Sequence, residues 1–133
     1  MRMLVLEPGY CPYISHFPSA EEACRQVIKG PVSRYLPFGN DVILLLAGTQ
    51  QQGQPHNRII AQDLVVCGRA LICGWNGQKE IELTRKQADR YYRAYLYPER
   101  VADDWNSVLV VPVNPRVKPV DERFGRKPGW LER

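Results

Sequence analysis

The chain has 133 residues, a length that fits one domain, and 44% of them are hydrophobic, which is enough for a core. No apolar run is long enough to span a bilayer, so we expect neither a transmembrane segment nor a membrane partner. The opening residues contain too short an apolar stretch for a signal peptide, which makes the cytosol the expected compartment.

The net charge of +4 is unevenly distributed along the chain. Residues 114–133 carry six basic and three acidic side chains and contribute +3, which leaves +1 for residues 1–113. A nearly neutral body argues against a fold built to bind a phosphate backbone. The four cysteines form no C-x-x-C pair, so we expect buried thiols, with no metal site and no cofactor.

Hydrophobic periodicity and turn signals predict the elements in the first half of the chain. The spacing of Ser19 and Glu22 is that of a capping box, and it starts a one-faced helix that ends at Gly30. One predicted strand is apolar throughout, so both of its faces should be covered. The predicted strands are Met3–Leu6, Tyr13–Phe17, Val32–Leu36 and the apolar Val42–Leu46.

The second half begins with a polar loop, Thr49–Asn57, between apolar strands. A second helix starts after Thr84, with Gln87 in the capping-box position, and ends before Pro98. Its apolar face is formed by tyrosines. The predicted strands are Leu64–Val66, Arg69–Cys73 and Val108–Val111.

This order, β-β-α-β-β-β-β-α-β, predicts an α+β fold with a mostly antiparallel sheet and two capped amphipathic helices. We expect residues 1–113 to form this domain. Residues 114–133 are rich in proline and arginine and have few apolar side chains, so we expect a loosely ordered basic extension, with Trp130 as a residue that could dock on the body.

Two short motifs are candidates for a ligand site. In the first, Tyr35, Pro37 and Phe38 stand at the end of a strand, where the aromatic rings form either a core plug or a wall for a planar ligand. In the second, Asn57 and Arg58 follow a kinked loop. They are interpreted either as an exposed polar corner that binds an anion or as structural residues, with Arg58 paired to a carboxylate and Asn57 capping a short helix.

Two alternatives use other residues. His56 is a candidate general base, which would make the protein a nucleotide hydrolase, although no nucleophile motif accompanies it and no residue is assigned a catalytic role. A basic stripe on the second helix, together with the tail, would instead make it a nucleic-acid-binding accessory protein. The residues of that second alternative are Lys86, Arg90, Arg93, Arg116 and Lys118.

The Y-x-P-F-like turn at Tyr35–Phe38 and the G-x-P-x-N-R loop at Gly53–Arg58 resemble those of a family of small uncharacterised domains from bacteria, phages and conjugative elements. The resemblance covers about residues 3–96. It implies a mobile-element setting and a special status for Tyr35, Pro37, Phe38, Asn57 and Arg58, but no established activity.

The leading functional expectation is a non-enzymatic binding domain, a host-defence antagonist that sequesters a nucleotide-like signal or binds a host protein. Its site would be a recess open to solvent and lined by Phe38 and Arg58, with His56 beside them. Replacing Arg58 by Ala should then impair binding and leave the fold intact. We also expect a homo-oligomer, formed through exposed tyrosines of the second helix and through Val108–Val111.

Overall fold

A computed structural model describes residues 1–48, 53–60, 64–103 and 108–125. Over these residues the chain forms ten strands and two α-helices, which confirms the predicted α+β class. The helices are α1 (Ala20–Val27) and α2 (Arg85–Ala94). The strands are β1 (Arg2–Leu6), β2 (Tyr13–His16), β3 (Val32–Tyr35), β4 (Val42–Ala47), β5 (His56–Ile60), β6 (Leu64–Cys67), β7 (Ala70–Trp75), β8 (Glu80–Ile81), β9 (Glu99–Asp103) and β10 (Val108–Pro112). None of the described helices is both long and apolar enough to cross a membrane.

The main sheet has the strand order β2-β1-β7-β4-β3, with β8 paired to the far end of β7. All of these pairings are antiparallel, as predicted. Leu6 and Leu46 both pair with Ala70. The chain segments that leave β1 and β4 and the segment that enters β7 therefore meet at one end of the sheet.

Strand β4 is buried over its whole length, because both faces of the sheet are covered. On one face Val5 and Leu45 pack with Ala23 and Val27 of α1. On the other face Leu4 and Leu44 pack with side chains of α2 and of the β5–β6 hairpin. The prediction of a strand covered on both sides is confirmed.

The helix starts are confirmed at the atomic level. The Ser19 side chain accepts a hydrogen bond from the Glu22 backbone N–H at the start of α1. At α2, Thr84 and Gln87 form the complete reciprocal capping box. Helix α2 ends earlier than predicted, with Tyr95 as its C-cap.

Strand β5 replaces the short helix that one interpretation placed after Asn57. It pairs with β6 through a register shift between His56 and Arg58, a local bulge that breaks the two-residue alternation. Because the two residues buried next to the bulge are polar, hydrophobic periodicity could not reveal this strand. Strands β8 and β9 were also absent from the prediction.

Residues 114–125, part of the predicted basic extension, make contacts with the body, and we call them the docked segment. Arg116 makes a parallel bridge with Tyr10, and its carbonyl accepts a hydrogen bond from the Cys11 N–H at 2.9 Å. Farther along, the Gly125 carbonyl accepts from the His16 N–H at 3.1 Å, and Phe124 packs against the α1-side core. Trp130 and the loop positions 49–52 lie outside the described residues.

Candidate functional site: a cleft at the end of the main sheet

Asn57 and Arg58 are internal residues, with 0% and 1% of their surface exposed. The Asn57 amide nitrogen donates to two backbone carbonyls, Leu6 O at 2.9 Å and Gly68 O at 2.8 Å. Its side-chain oxygen accepts a hydrogen bond from Nη1 of Arg58, whose Nη2 donates to Tyr10 O at 2.7 Å. This Asn57–Arg58 pair therefore joins β5 to the segments that follow β1 and β6.

The pair fixes two turns by their carbonyl groups. One is the turn after β1, which is closed by a hydrogen bond from the Tyr10 N–H to Glu7 O. Asn57 and Arg58 hold the two ends of this turn by donating to Leu6 O and Tyr10 O. The other turn contains Gly68, which has a φ of +75°. A Cβ at Gly68 would lie 3.3 Å from the Cβ of Gln54, so this turn requires glycine. The Gly68 N–H donates to Pro55 O at 2.7 Å, which connects this turn to the loop that carries Gln54.

Burial lowers the pKa of the Arg58 guanidinium to about 10, and the nearby Glu99 opposes this effect. Within the described residues its Nε has no hydrogen-bond partner. An internal cation held by an amide oxygen and a carbonyl is a structural element, because neither its charge nor its donors face solvent. The expectation that Arg58 lines a recess open to solvent is therefore wrong, and its predicted partner, a carboxylate, is replaced by these neutral acceptors.

The aromatic motif is engaged elsewhere. Phe38 is half-buried, with its ring centroid 4.6 Å from that of Tyr91 and 5.9 Å from that of Tyr95, both on the apolar side of α2. Pro37 beside it is half-buried, whereas Tyr35 is 40% exposed on strand β3. The contacts of Phe38 fit a core plug, and a ligand contact of Tyr35, Pro37 or Phe38 stays a prediction.

His56 lies at the bulge of β5, 3.3 Å from a carboxylate oxygen of Glu99. The same oxygen accepts a hydrogen bond from the Ile59 N–H at 2.6 Å, so it ties β5 to β9. A ligand or catalytic role for His56 stays a prediction. Among the described residues, no group of three His, Cys, Asp or Glu side chains is placed to hold a metal ion.

A cleft of about 490 Å³ opens where the turns held by the Asn57–Arg58 pair meet the end of α1. It is bounded by the segments after β1, α1 and β4 and by those before β5 and β7. Its lining residues are Glu7, Pro8, Val27, Ile28, Lys29, Ala47, Gln54, Pro55, Gly68 and Arg69. We call this feature the Glu7–Arg69 cleft.

Glu7 is the centre of the charge arrangement in the cleft and is only 6% exposed. It accepts a hydrogen bond from the Tyr13 hydroxyl at 2.7 Å and lies 3.4 Å from both Arg69 Nε and Lys118 Nζ. The pKa of Tyr13 is raised by burial and by its hydrogen bond to Glu7. Lys29 also lines the cleft, and Glu7 is the one carboxylate among its lining residues.

The predicted basic stripe divides into two groups. Lys86, Arg90 and Arg93 are exposed on α2, where Arg93 lies 3.3 Å from Asp89. Arg116 and Lys118 instead stack on the Tyr10 ring, at 4.4 Å and 4.8 Å from its centroid. The two tail residues thus contact the body through Tyr10, while nucleic-acid binding by any of these five residues stays a prediction.

Sequence reasoning missed the residues that line the cleft, with Glu7, Lys29 and Arg69 as the main examples. The available signal was the position of Glu7 directly after a buried strand. Its cationic partners, Arg69 and Lys118, come from distant parts of the chain, so the sequence does not reveal them.

The fold and the cleft define a small α+β domain in which a buried Asn–Arg pair shapes a polar recess at the end of an antiparallel sheet. The chain belongs to the family described as a domain of unknown function, DUF3846, whose model matches residues 1–96. This confirms the resemblance to an uncharacterised domain family. No curated protein and no solved structure matches the chain. The matched region contains every residue that lines the cleft, whereas β9, β10 and the docked segment follow it.

Proposed function

We propose that this protein is a non-enzymatic binding domain that holds a small anionic ligand in the Glu7–Arg69 cleft. The observation that carries the proposal is the presence of Lys29 and Arg69 on the walls of one recess, whose single lining carboxylate, Glu7, is shared between Arg69 and Lys118 outside the lining. The volume falls within the range of small-molecule sites, about 300–1,000 Å³.

The backbone at Lys29 supports a functional role for this side chain. Lys29 follows the C-cap of α1 and has a φ of +60°, the one positive φ at a non-glycine residue in the described parts of the chain. Glycine is preferred at such positions, since a side chain there costs energy. A function of the ammonium group at the rim of the cleft would explain why lysine occupies this position despite the energetic cost.

The Asn57–Arg58 pair gives the cleft a pre-formed shape. Asn57 fixes the carbonyls of Leu6 and Gly68, the residues directly before Glu7 and Arg69. A ligand then meets walls that are already ordered, so less entropy is lost on binding. The N-R motif on this account acts through the geometry of the cleft and touches no ligand.

Other expectations are retained as proposals. A mobile-element setting and a host-defence target follow from the family resemblance alone, and a cytosolic location is retained from the sequence analysis. A homo-oligomer is supported by the exposed side chains of Val101, Leu109 and Val110 on the β9–β10 hairpin. Light scattering during size-exclusion chromatography would test it, and a single species of one-chain mass at high concentration would refute it.

The test of the binding proposal uses Lys29→Gly and Lys29→Ala, with Lys79→Ala as the matched control on an exposed turn away from the cleft. The probes are phosphate, pyrophosphate and citrate, titrated by calorimetry into the full chain. Both Lys29 variants should bind the best probe about tenfold more weakly, which corresponds to about 1.4 kcal/mol. Lys29→Gly should also raise the free energy of unfolding by about 1 kcal/mol, because it removes the left-handed strain.

Two results would overturn the proposal. The first is that none of the three probes binds at millimolar concentration. The second is that Lys79→Ala weakens binding as much as the Lys29 variants do, which would mean that the probe responds to overall charge.

A further inference from the structure

A second cavity, of about 390 Å³, lies between α2 and the β1–β2 edge of the sheet, away from the Glu7–Arg69 cleft. Its lining residues are Arg2, Ile14, His16, Arg85, Ala88, Asp89 and Tyr92. None of them lines the first cleft. We call this feature the Tyr92 cavity.

The fold places these side chains together by simple rules. Arg85, Ala88, Asp89 and Tyr92 are spaced i, i+3, i+4 and i+7, so they form one face of α2. On the sheet, Ile14 pairs with Leu4, whose side chain belongs to the core on the α2 side. Arg2 and His16 form the next cross-strand pair on that same face, since side chains two residues apart point in the same direction.

The Tyr92 ring is held in place while part of it stays accessible. Tyr92 lies next to the side chain of Cys11, and 36% of the residue is exposed. Ile14, which is 40% exposed, lies on the sheet side of the same cavity. An aromatic ring on one wall and an aliphatic side chain on the other form a slot suited to a flat apolar group.

The cations of the cavity lie at its other end, near the start of α2. Nη1 of Arg2 donates to Leu83 O at 2.9 Å, and Glu82 is bound to the backbone N–H of Arg2 at 3.0 Å. Arg85 is exposed at the start of α2. The acidic lining residue, Asp89, has its carboxylate 3.3 Å from Arg93. Two guanidinium groups are therefore available in one recess to a doubly charged oxyanion, which guanidinium binds in a bidentate manner.

From this juxtaposition we infer a second binding site, for a nucleoside monophosphate: the base stacks on Tyr92 against Ile14, and the phosphate lies between Arg2 and Arg85. Stacking on an aromatic ring accepts every base, so this geometry favours nucleotides as a class over one particular base. The site is independent of the ligand proposed for the Glu7–Arg69 cleft.

The experiment titrates AMP, GMP, CMP and UMP into the full chain by calorimetry, with inorganic phosphate as the probe that lacks a base. The variants are Tyr92→Leu and Arg85→Ala, with Tyr92→Phe to keep the ring and Arg90→Ala as the control on another face of α2. At least one nucleotide should bind more tightly than phosphate. Tyr92→Leu and Arg85→Ala should each weaken it about tenfold, equivalent to about 1.4 kcal/mol, while the other two variants retain affinity.

The inference is overturned if no nucleotide binds more tightly than phosphate, or if Tyr92→Leu binds as tightly as the unaltered protein. Loss of nucleotide binding in Lys29→Ala with retention in Arg85→Ala would also overturn it, because the nucleotide would then occupy the Glu7–Arg69 cleft. That last result would leave the binding proposal for the cleft intact. Circular dichroism checks that each variant is folded.

Discussion

Replacing Asn57 by Ala should destabilise the protein strongly, because this one amide serves three hydrogen bonds in a buried environment. Its nitrogen is bonded to Leu6 O and Gly68 O, and its oxygen is bonded to the Arg58 guanidinium. A neutral hydrogen bond contributes about 1 kcal/mol and one to a charged group about 2 kcal/mol, so the loss amounts to about 4 kcal/mol. That is a large part of the ~5–15 kcal/mol by which a domain is stable.

Urea unfolding followed by circular dichroism measures this loss directly. Asn57→Asp separates the donor role of the side chain from its acceptor role. It keeps an oxygen toward Arg58 but places a second oxygen against the carbonyls of Leu6 and Gly68, so it should also destabilise the protein. Asn40→Ala, at an exposed turn position, is the matched control and should change the free energy of unfolding by less than about 0.5 kcal/mol. If Asn57→Ala unfolds within about 1 kcal/mol of the unaltered protein, the assignment of the Asn57–Arg58 pair as the support of the cleft is wrong.

Phe38→Ala should lower the free energy of unfolding by about 2 kcal/mol, since the half-buried ring packs on two tyrosines of α2. Glu7→Gln should speed trypsin cleavage after Arg116, because the carboxylate that neutralises Lys118 in the docked segment is lost. Burial raises the pKa of the Cys73 thiol from its ordinary value of 9.0 to about 12. The stabilisation from this neutral thiol is present below pH 9.0 and is lost as pH rises toward 12, so between pH 8 and 10 the free energy of unfolding should fall by about 1.4 kcal/mol through this group.

Each of these outcomes has a matched control. Tyr35→Ala removes an exposed aromatic ring and should change stability little, so an equal loss in both variants would contradict the core-plug role of Phe38. Glu21→Gln, on the exposed side of α1, should leave the cleavage rate unchanged. Cys73→Ala should reduce the pH dependence, and an unchanged slope would show that other groups cause it.

The sequence predicted secondary structure correctly where the signal lies within a few neighbouring residues. Ser19 and Thr84 start the helices because a side-chain oxygen followed three residues later by Glu or Gln has a direct geometric meaning. The continuous apolar run of β4 likewise indicated a strand between two covered faces. These features need no knowledge of distant residues.

The site could not be predicted in the same way, because the polar side chains of Asn57 and Arg58 were expected to be exposed and are buried. The family resemblance gave Asn57 and Arg58 a special status, but their partners are backbone carbonyls of Leu6, Gly68 and Tyr10, which no side-chain pattern identifies. The cleft combines side chains as far apart in sequence as Glu7 and Arg69. Its existence depends on the antiparallel register that brings Leu6 and Leu46 to opposite sides of Ala70.

The most direct test of the central claim, that this cleft is a ligand site shaped by the Asn57–Arg58 pair, is an amide chemical-shift titration of the full chain with pyrophosphate. Saturable shifts should centre on Lys29, Gln54, Gly68 and Arg69, and replacing Lys29 by Ala should raise the pyrophosphate concentration needed for half-saturation about tenfold. Shifts that increase linearly without saturation, or that centre on the exposed basic residues of α2, would contradict it.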